Sequence, residues 1–267
     1  MLWDTHMHCH FSGDSESAPR KMIESAIKKG LSGICFTDHQ DFDYREEPGF
    51  FDLDFKNYQK EIMALKEEYS GRLEILWGVE LGLQPHVVDD NLKVTHSYPF
   101  DFVIGSSHLV DHIDIYYPSY FEGRTERAAY RRYFETILEN LHTEADFDVY
   151  GHLDYVVRYG PNKNNAFSYA KYADLIDDIL RTIIEKGKGI EMNMAGYKYG
   201  LGHPNPTEDI LKRYRELGGE IITIGADGHK PEQIAWDYKK VPELLKSAGF
   251  EYFTVFKKRK PEFIKIV

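Results

Sequence analysis

Cysteine is almost absent: Cys9 and Cys35 are the two in 267 residues. That is too few to staple a chain of this size, so a disulfide scaffold is excluded and reduced thiols in a cytoplasmic setting are expected. No apolar run approaches the roughly 18 residues of a membrane span, and the opening MLWDTHMH has no basic stretch leading into an apolar one. Neither secretion nor membrane insertion is expected. Positive charge is in deficit, with 33 Lys and Arg against 44 Asp and Glu and a net charge of −11. Such a balance repels a phosphate backbone, which argues against a general nucleic-acid binder and leaves room for a local basic pocket and a small anionic substrate. Neither GxxxxGK[ST] nor GxGxxG occurs, so Gly218-Gly219 reads as a helix stop and a nucleotide cradle has no support. Internal repeats, low-complexity tracts and long Pro/Gly/Ser linkers are also missing, and one domain over residues 1–267 is expected.

Histidine, by contrast, is abundant. Twelve residues amount to roughly twice the usual share, and their positions relative to the expected strands are informative. Strand-length apolar runs fall at 2–6, 33–37, 74–79, 100–105, 147–151, 189–193 and 221–225. Between them lie stretches with helical spacing at 19–29, 55–69, 125–142, 168–186 and 206–216, with another near 241–247. Gly30 and Gly187 stand as helix stops, and Pro206 as a helix start. Seven near-continuous apolar strands alternating with helices predict an α/β chain closed into a distorted, TIM-like (β/α)7 barrel. Reactive groups in such barrels gather at the C-terminal mouth of the strands.

Chemistry-bearing residues recur at those strand ends. His6 and His8 alternate at the first strand, and a period of two places both on one face, close enough to grip one ion. Thr37-Asp38-His39 ends the second strand, Glu80 ends the third, and His108 follows the fourth. His152 follows the fifth, and Asp227-Gly-His229 follows the seventh. A closed barrel would bring them over one mouth, which scattered surface histidines would not do. Neutral imidazole and carboxylate suit zinc, manganese or iron, and a carboxylate can bridge two ions. Without cations the same crowd would compete for protons. A multinuclear metal site is therefore expected.

Taken together, His6-Met-His8, Thr37-Asp38-His39, Glu80, Ser107-His108, Gly151-His152 and Asp227-Gly-His229 resemble the motif set of the polymerase and histidinol phosphatase (PHP) family over nearly the whole chain. The resemblance implies a distorted seven-stranded barrel with two or three divalent ions at its mouth. It implies that His6, His8, Glu80 and Asp227 surround one ion, and that Glu80 bridges to a second ion held by His108 and His152. A third would be held by Asp14, His39 and His229. Asp14 stands where many relatives carry histidine, and an aspartate can still ligate. His10, His86, His96, His112, His142 and His203 match no motif position and are expected in loops or on the surface.

Within the family, four further stretches resemble the histidinol-phosphate phosphatases: Asp101 to Ser106, Ala129 to Phe134, Gly151 to Tyr159, and Glu191-Met-Asn193 with Gly200-Leu-Gly202 after it. This implies hydrolysis of L-histidinol phosphate to L-histidinol and phosphate, in histidine biosynthesis, by in-line attack of a metal-bound hydroxide. Arg158, just past a strand end, is the first candidate to hold the phosphoryl oxygens through paired hydrogen bonds, against a plain reading as a surface arginine paired with an acid. Lys198 is the second. Asp227 or His229 is the expected proton donor to the leaving alkoxide. Tyr116, Tyr117, Tyr120 and Phe121 are candidates for an aromatic pocket wall, against a core role. Arg131-Arg132 and the run from Lys257 to Lys260 read as solvated charged faces. The alternatives are a phosphoesterase for another small phosphate or a nucleotide, and a metal-binding module without turnover.

Overall fold

A computed structural model describes residues 2–267. Its strands are β1 (Trp3–Asp4), β2 (Gly33–Phe36), β3 (His39–Gln40), β4 (Glu74–Gly82), β5 (Phe102–Ser106), β6 (Leu109–Val110), β7 (Ile113–Asp114), β8 (Val149–Tyr150), β9 (Gly189–Asn193), β10 (Ile222–Gly225), β11 (Tyr252–Lys257) and β12 (Lys260–Lys265). Its helices are α1 (Pro19–Lys28), α2 (Phe55–Glu68), α3 (Val88–Ser97), α4 (Glu126–Leu141), α5 (Ala173–Glu185), α6 (Ala195–Lys198), α7 (Glu208–Glu216) and α8 (Val241–Ser247).

Seven parallel strands run in the order β1-β2-β4-β5-β8-β9-β10. The seam between β10 and β1 is bridged by Thr5 N donating to Ile224 O (2.9 Å), by Asp227 N donating to His6 O (2.9 Å) and by a parallel bridge between Met7 and Gly228. The result is the nearly closed α/β barrel expected from the alternation of strand and helix patterns. The strands are buried on both faces, as parallel strands wrapped by helices must be. Helix α5 shows the matching stripe, with Leu175, Ile176, Ile179, Leu180 and Ile183 buried.

Local chemistry explains several ends. Asp54 accepts from Asn57 N and Thr125 Oγ1 from Ala128 N, capping α2 and α4. Gly30 and Gly187 adopt φ of 74° and 67° just after α1 and α5, the left-handed conformation of a helix stop.

The first strand is shorter than expected. Its ladder ends at Asp4, leaving His6 and His8 in extended chain just beyond. The third expected strand is longer, because β3 and β5 both pair with its end and Glu80 therefore lies inside β4. The segment 206–207 precedes α7 instead of opening it. Helix α3 and the β11–β12 hairpin have no counterpart among the expected elements. The buried face of α3 is partly polar (Asn91, Val94, Thr95), and β12 is mostly exposed, so neither shows a clear apolar period.

The barrel wall leaves little spare volume at β10. A Cβ on Gly225 would run into the Glu191 carboxylate and His6 Cβ. Gly225→Ala is expected to cost about 1–3 kcal/mol through overpacking, read as a lower urea midpoint at unchanged slope. An unaltered midpoint would show that this wall relaxes freely.

Candidate metal centre and active site

The strand ends converge on Glu80. Its Oε2 lies 3.1 Å from His6 Nε2, 3.1 Å from His39 Nδ1 and 3.5 Å from His8 Nε2. Its Oε1 lies 3.0 Å from His152 Nε2 and 3.3 Å from His108 Nε2, and accepts from Ser106 Oγ at 2.6 Å. His39 faces Glu80 because the two are register partners across β3 and β4. Asp227 Oδ1 sits 3.5 Å from His8 Nε2 and 3.9 Å from His6 Nε2. Asp14 Oδ2 lies 2.8 Å from His229 Nε2 and 3.7 Å from His39 Nε2. All nine candidate ligands thus gather at one end of the barrel. His152 and Asp227 hold positive φ (21° and 52°) just past β8 and β10, and such conformations concentrate at functional sites.

Burial pushes the Glu80 carboxyl up, but the imidazoles of His6, His39 and His108 outweigh it and hold the group well below the usual carboxylate range. Burial together with the neighbouring His39 and His229 lowers His8 well below an ordinary histidine. His6 Nε2 and His8 Nε2 face each other at 3.1 Å. At most one hydrogen can lie between them, so at least one of the two nitrogens aims its lone pair into the space they share. Further donors converge as His8, His39 and His229, and as Glu80, His108 and His152. His39 Nδ1, His152 Nδ1 and Asp41 Oδ2 are buried without a hydrogen-bond partner. Imidazole nitrogens gathered around ionised carboxylates fit divalent cations, which take the place of the protons the imidazoles otherwise share with those carboxylates.

Two carboxylates orient these ligands and were missed as such in the sequence. Glu191 Oε1 lies 2.6 Å from His6 Nδ1, and Asp41 Oδ1 lies 2.8 Å from His108 Nδ1. A carboxylate on the far nitrogen fixes the tautomer and strengthens the ligand. For Glu191 a signal existed: Glu191 and Asn193 alternate on a β9 that is otherwise apolar. Asp41 had none, since its role depends on how the segment after β3 packs against Gly82.

Arg158 is buried, and its charge is matched within the site. It donates from Nη1 to Asp227 Oδ2 (2.8 Å), from Nη2 to Asn193 Oδ1 (2.9 Å) and from Nε to Asn205 Oδ1 (2.8 Å). The rings of Tyr155 and Tyr199 flank it at 4.9 and 5.1 Å. These bonds account for three of its five N–H groups. Lys198 Nζ donates to Asp227 O at 2.7 Å, and burial brings its ammonium below the ordinary value.

Both cations line a cavity of 390 Å³ that also exposes Asp14, His39, His108, His152, Asp227 and His229. Its outer wall is aromatic, with Tyr44, Phe50, Phe51, Tyr116, Tyr117, Tyr155, Tyr159 and Tyr199. Tyr120 and Phe121 are not among them. Tyr120 is buried, donating to Ala129 O, and Phe121 packs on the core, because the turn that carries them lies on α4. One acid stands among the aromatics. Asp114 accepts from Tyr116 N (2.7 Å) and Tyr44 Oη (3.0 Å), and burial raises its carboxyl above the ordinary value.

The basic runs are paired elsewhere. Arg131 meets Glu135 and Asp174, Arg132 meets Asp111 and Glu139, and Arg259 reaches Asp146 and Asp148. No helix of the described residues is long and apolar enough to cross a membrane.

A nearly closed parallel barrel with imidazoles and carboxylates converging on its C-terminal mouth defines the class: an α/β barrel protein with metal-capable groups at its mouth. The PHP domain pattern matches residues 4–195, and the chain belongs to the PHP domain family. The match stops short of β10, although Asp227 and His229 follow that strand. The chain is 34% identical over 259 residues to the histidinol-phosphatase of Lactococcus lactis, covering 95% of this chain and 93% of that one. It is 32% identical to a probable histidinol-phosphatase of Clostridium acetobutylicum, covering 94% and 95%. The crystal structure of the Lactococcus lactis histidinol phosphate phosphatase, complexed with zinc, L-histidinol and phosphate, superposes with a TM-score of 0.90 over 97% of this chain and 98% of that one.

Proposed function

We propose that residues 1–267 form one barrel domain that hydrolyses L-histidinol phosphate to L-histidinol and phosphate. The observation that carries the reading is the joint one of fold and site. Nearly the whole chain matches a structure that holds zinc, L-histidinol and phosphate, and this chain's own mouth combines metal-capable donors, two cations and, among the aromatic rings, the acid Asp114 in one cavity.

His6, His8, Glu80 and Asp227 would hold one ion, Glu80 with His108 and His152 a second, and Asp14, His39 and His229 a third; zinc, manganese or iron suits these donors. When bound, the ions neutralise phosphoryl oxygens and activate water for attack on phosphorus. Arg158 keeps two N–H groups free of protein acceptors and presents them to the nonbridging oxygens, its plane held by Asn193, Asn205 and two tyrosine rings. Lys198 adds a second positive charge on the same wall. Asp227 or His229, both at the mouth, is the group that passes a proton to the leaving alkoxide. At the outer end Asp114 offers an anion to the substrate amine, and the tyrosine and phenylalanine rings offer flat faces to its imidazole. The aromatic walls narrow the opening to a small molecule, and the net charge of −11 disfavours a long polyanion.

The test is phosphate release from L-histidinol phosphate beside a panel of simple monoesters and nucleotides, using metal-reconstituted protein. Preference for histidinol phosphate by at least about a hundredfold in kcat/KM is expected, since a site with a placed acid penalises substrates that leave it unpaired. Low, even turnover across the panel would refute the substrate assignment and leave a phosphomonoesterase. No release at all would favour a binding module.

A further inference from the structure

Three residues outside the buried cluster meet at the surface. Asp43 lies in the segment between β3 and α2, His86 in the turn Pro85–Val87 before α3, and His112 in the turn between β6 and β7. Asp43 Oδ2 is 2.9 Å from His86 Nε2 and 3.1 Å from His112 Nδ1. The two imidazole centroids are 4.8 Å apart, and one ligand atom from each of the three residues lies within 4.8 Å of the others. We propose that Asp43, His86 and His112 form a second, peripheral site for a divalent ion of the zinc class.

Two imidazoles and one carboxylate are a donor set that zinc accepts, with the fourth position open to water. An ion holding its ligands at about 2.0–2.2 Å in a tetrahedral arrangement places neighbouring donor atoms roughly 3.4 Å apart. The present distances from Asp43 need open by only a few tenths of an ångström. The three side chains are partly exposed, so they rearrange and shed protons into water at little cost. Both imidazoles now spend the nitrogen that faces Asp43 on a single carboxylate oxygen, and an ion would take those nitrogens as lone-pair donors. The competitor is Arg45, whose Nη2 lies 2.8 Å from the same Asp43 oxygen and whose Nε reaches both oxygens.

The site would tie together two walls of the substrate cavity. Asp43 precedes Tyr44 on the segment that carries Phe50 and Phe51, and His112 precedes Asp114 and Tyr116. These walls already touch through Tyr44 Oη donating to Asp114 Oδ2 (3.0 Å) and Asp114 N donating to Glu46 Oε1 (2.9 Å). An ion at Asp43, His86 and His112 clamps the same pair of segments from outside.

The experiment uses zinc-loaded protein titrated with further zinc, with uptake counted by equilibrium dialysis and backbone hydrogen exchange followed over residues 41–53. Wild type is expected to take up one equivalent more than the His86→Gln/His112→Asn double variant, with slower exchange over 41–53 as that equivalent fills. Arg45→Gln, which removes the competitor, is expected to bind it several-fold more tightly. The three substituted side chains are exposed or partly exposed, and thermal unfolding verifies that the variants fold. Equal zinc uptake by wild type and the double variant overturns the site. A lost equivalent without any change in exchange over 41–53 overturns the clamp.

Discussion

Phosphate release by the Glu80→Gln protein is expected to fall on the order of 10⁴-fold, because groups that act as one catalytic unit fail together when a central member is removed. Glu80 is that member. Five imidazoles lie within 3.5 Å of its two oxygens. Glutamine keeps the shape but removes the negative charge and turns one oxygen into an N–H donor aimed at nitrogens that need an acceptor or a cation. Bound metal measured after reconstitution should drop by at least one equivalent in the same preparation. Retention of full metal content and a tenth or more of wild-type turnover would show that Glu80 does not bridge. Thermal unfolding of the metal-free proteins separates this from misfolding, since an unfolded variant would lose its cooperative transition altogether.

The second large effect is at Arg158. Arg158→Ala is expected to lower kcat/KM for a phosphomonoester by about 10²–10³-fold, the usual cost of removing a preorganised donor to a developing oxyanion. A structural reading competes, because the guanidinium also carries Asn193, Asn205 and Asp227. Arg158→Lys discriminates. A lysine retains the charge but cannot fork to three side-chain acceptors and still present two further N–H groups. It should therefore remain at least about tenfold impaired while binding the full metal complement. If Arg158→Ala keeps wild-type kcat/KM, or if its only defect is lost metal, the phosphate-holding role fails.

Periodicity and residue type carried much of the architecture. The apolar runs at 33–37 and 189–193 coincide with β2 and β9, and the helical spacing at 55–69 and 125–142 with α2 and α4, because both faces of such strands and one face of such helices had to be buried whatever their neighbours. The order of strands and helices then left few topologies open, since parallel crossovers share one handedness. The elements that stayed illegible are those whose partners lie far along the chain. His39–Gln40 is a strand only because β4 passes beside it, and β12 is a strand only because β11 does.

The candidate site divides in the same way. By itself the sequence determined which residues could ligate, because imidazole and carboxylate chemistry is carried by the side chain, and strand-end positions follow from local patterns. Only the tertiary structure decided which nitrogen meets which oxygen. It alone placed Glu191 behind His6 and Asp41 behind His108, turned Arg158 inward, sent Tyr120 to the core and set Asp114 in the cavity wall. Apart from the Tyr120 bond to Ala129, nine residues away, those outcomes depend on distances between segments 67 to 185 residues apart, and closure of the barrel sets such distances.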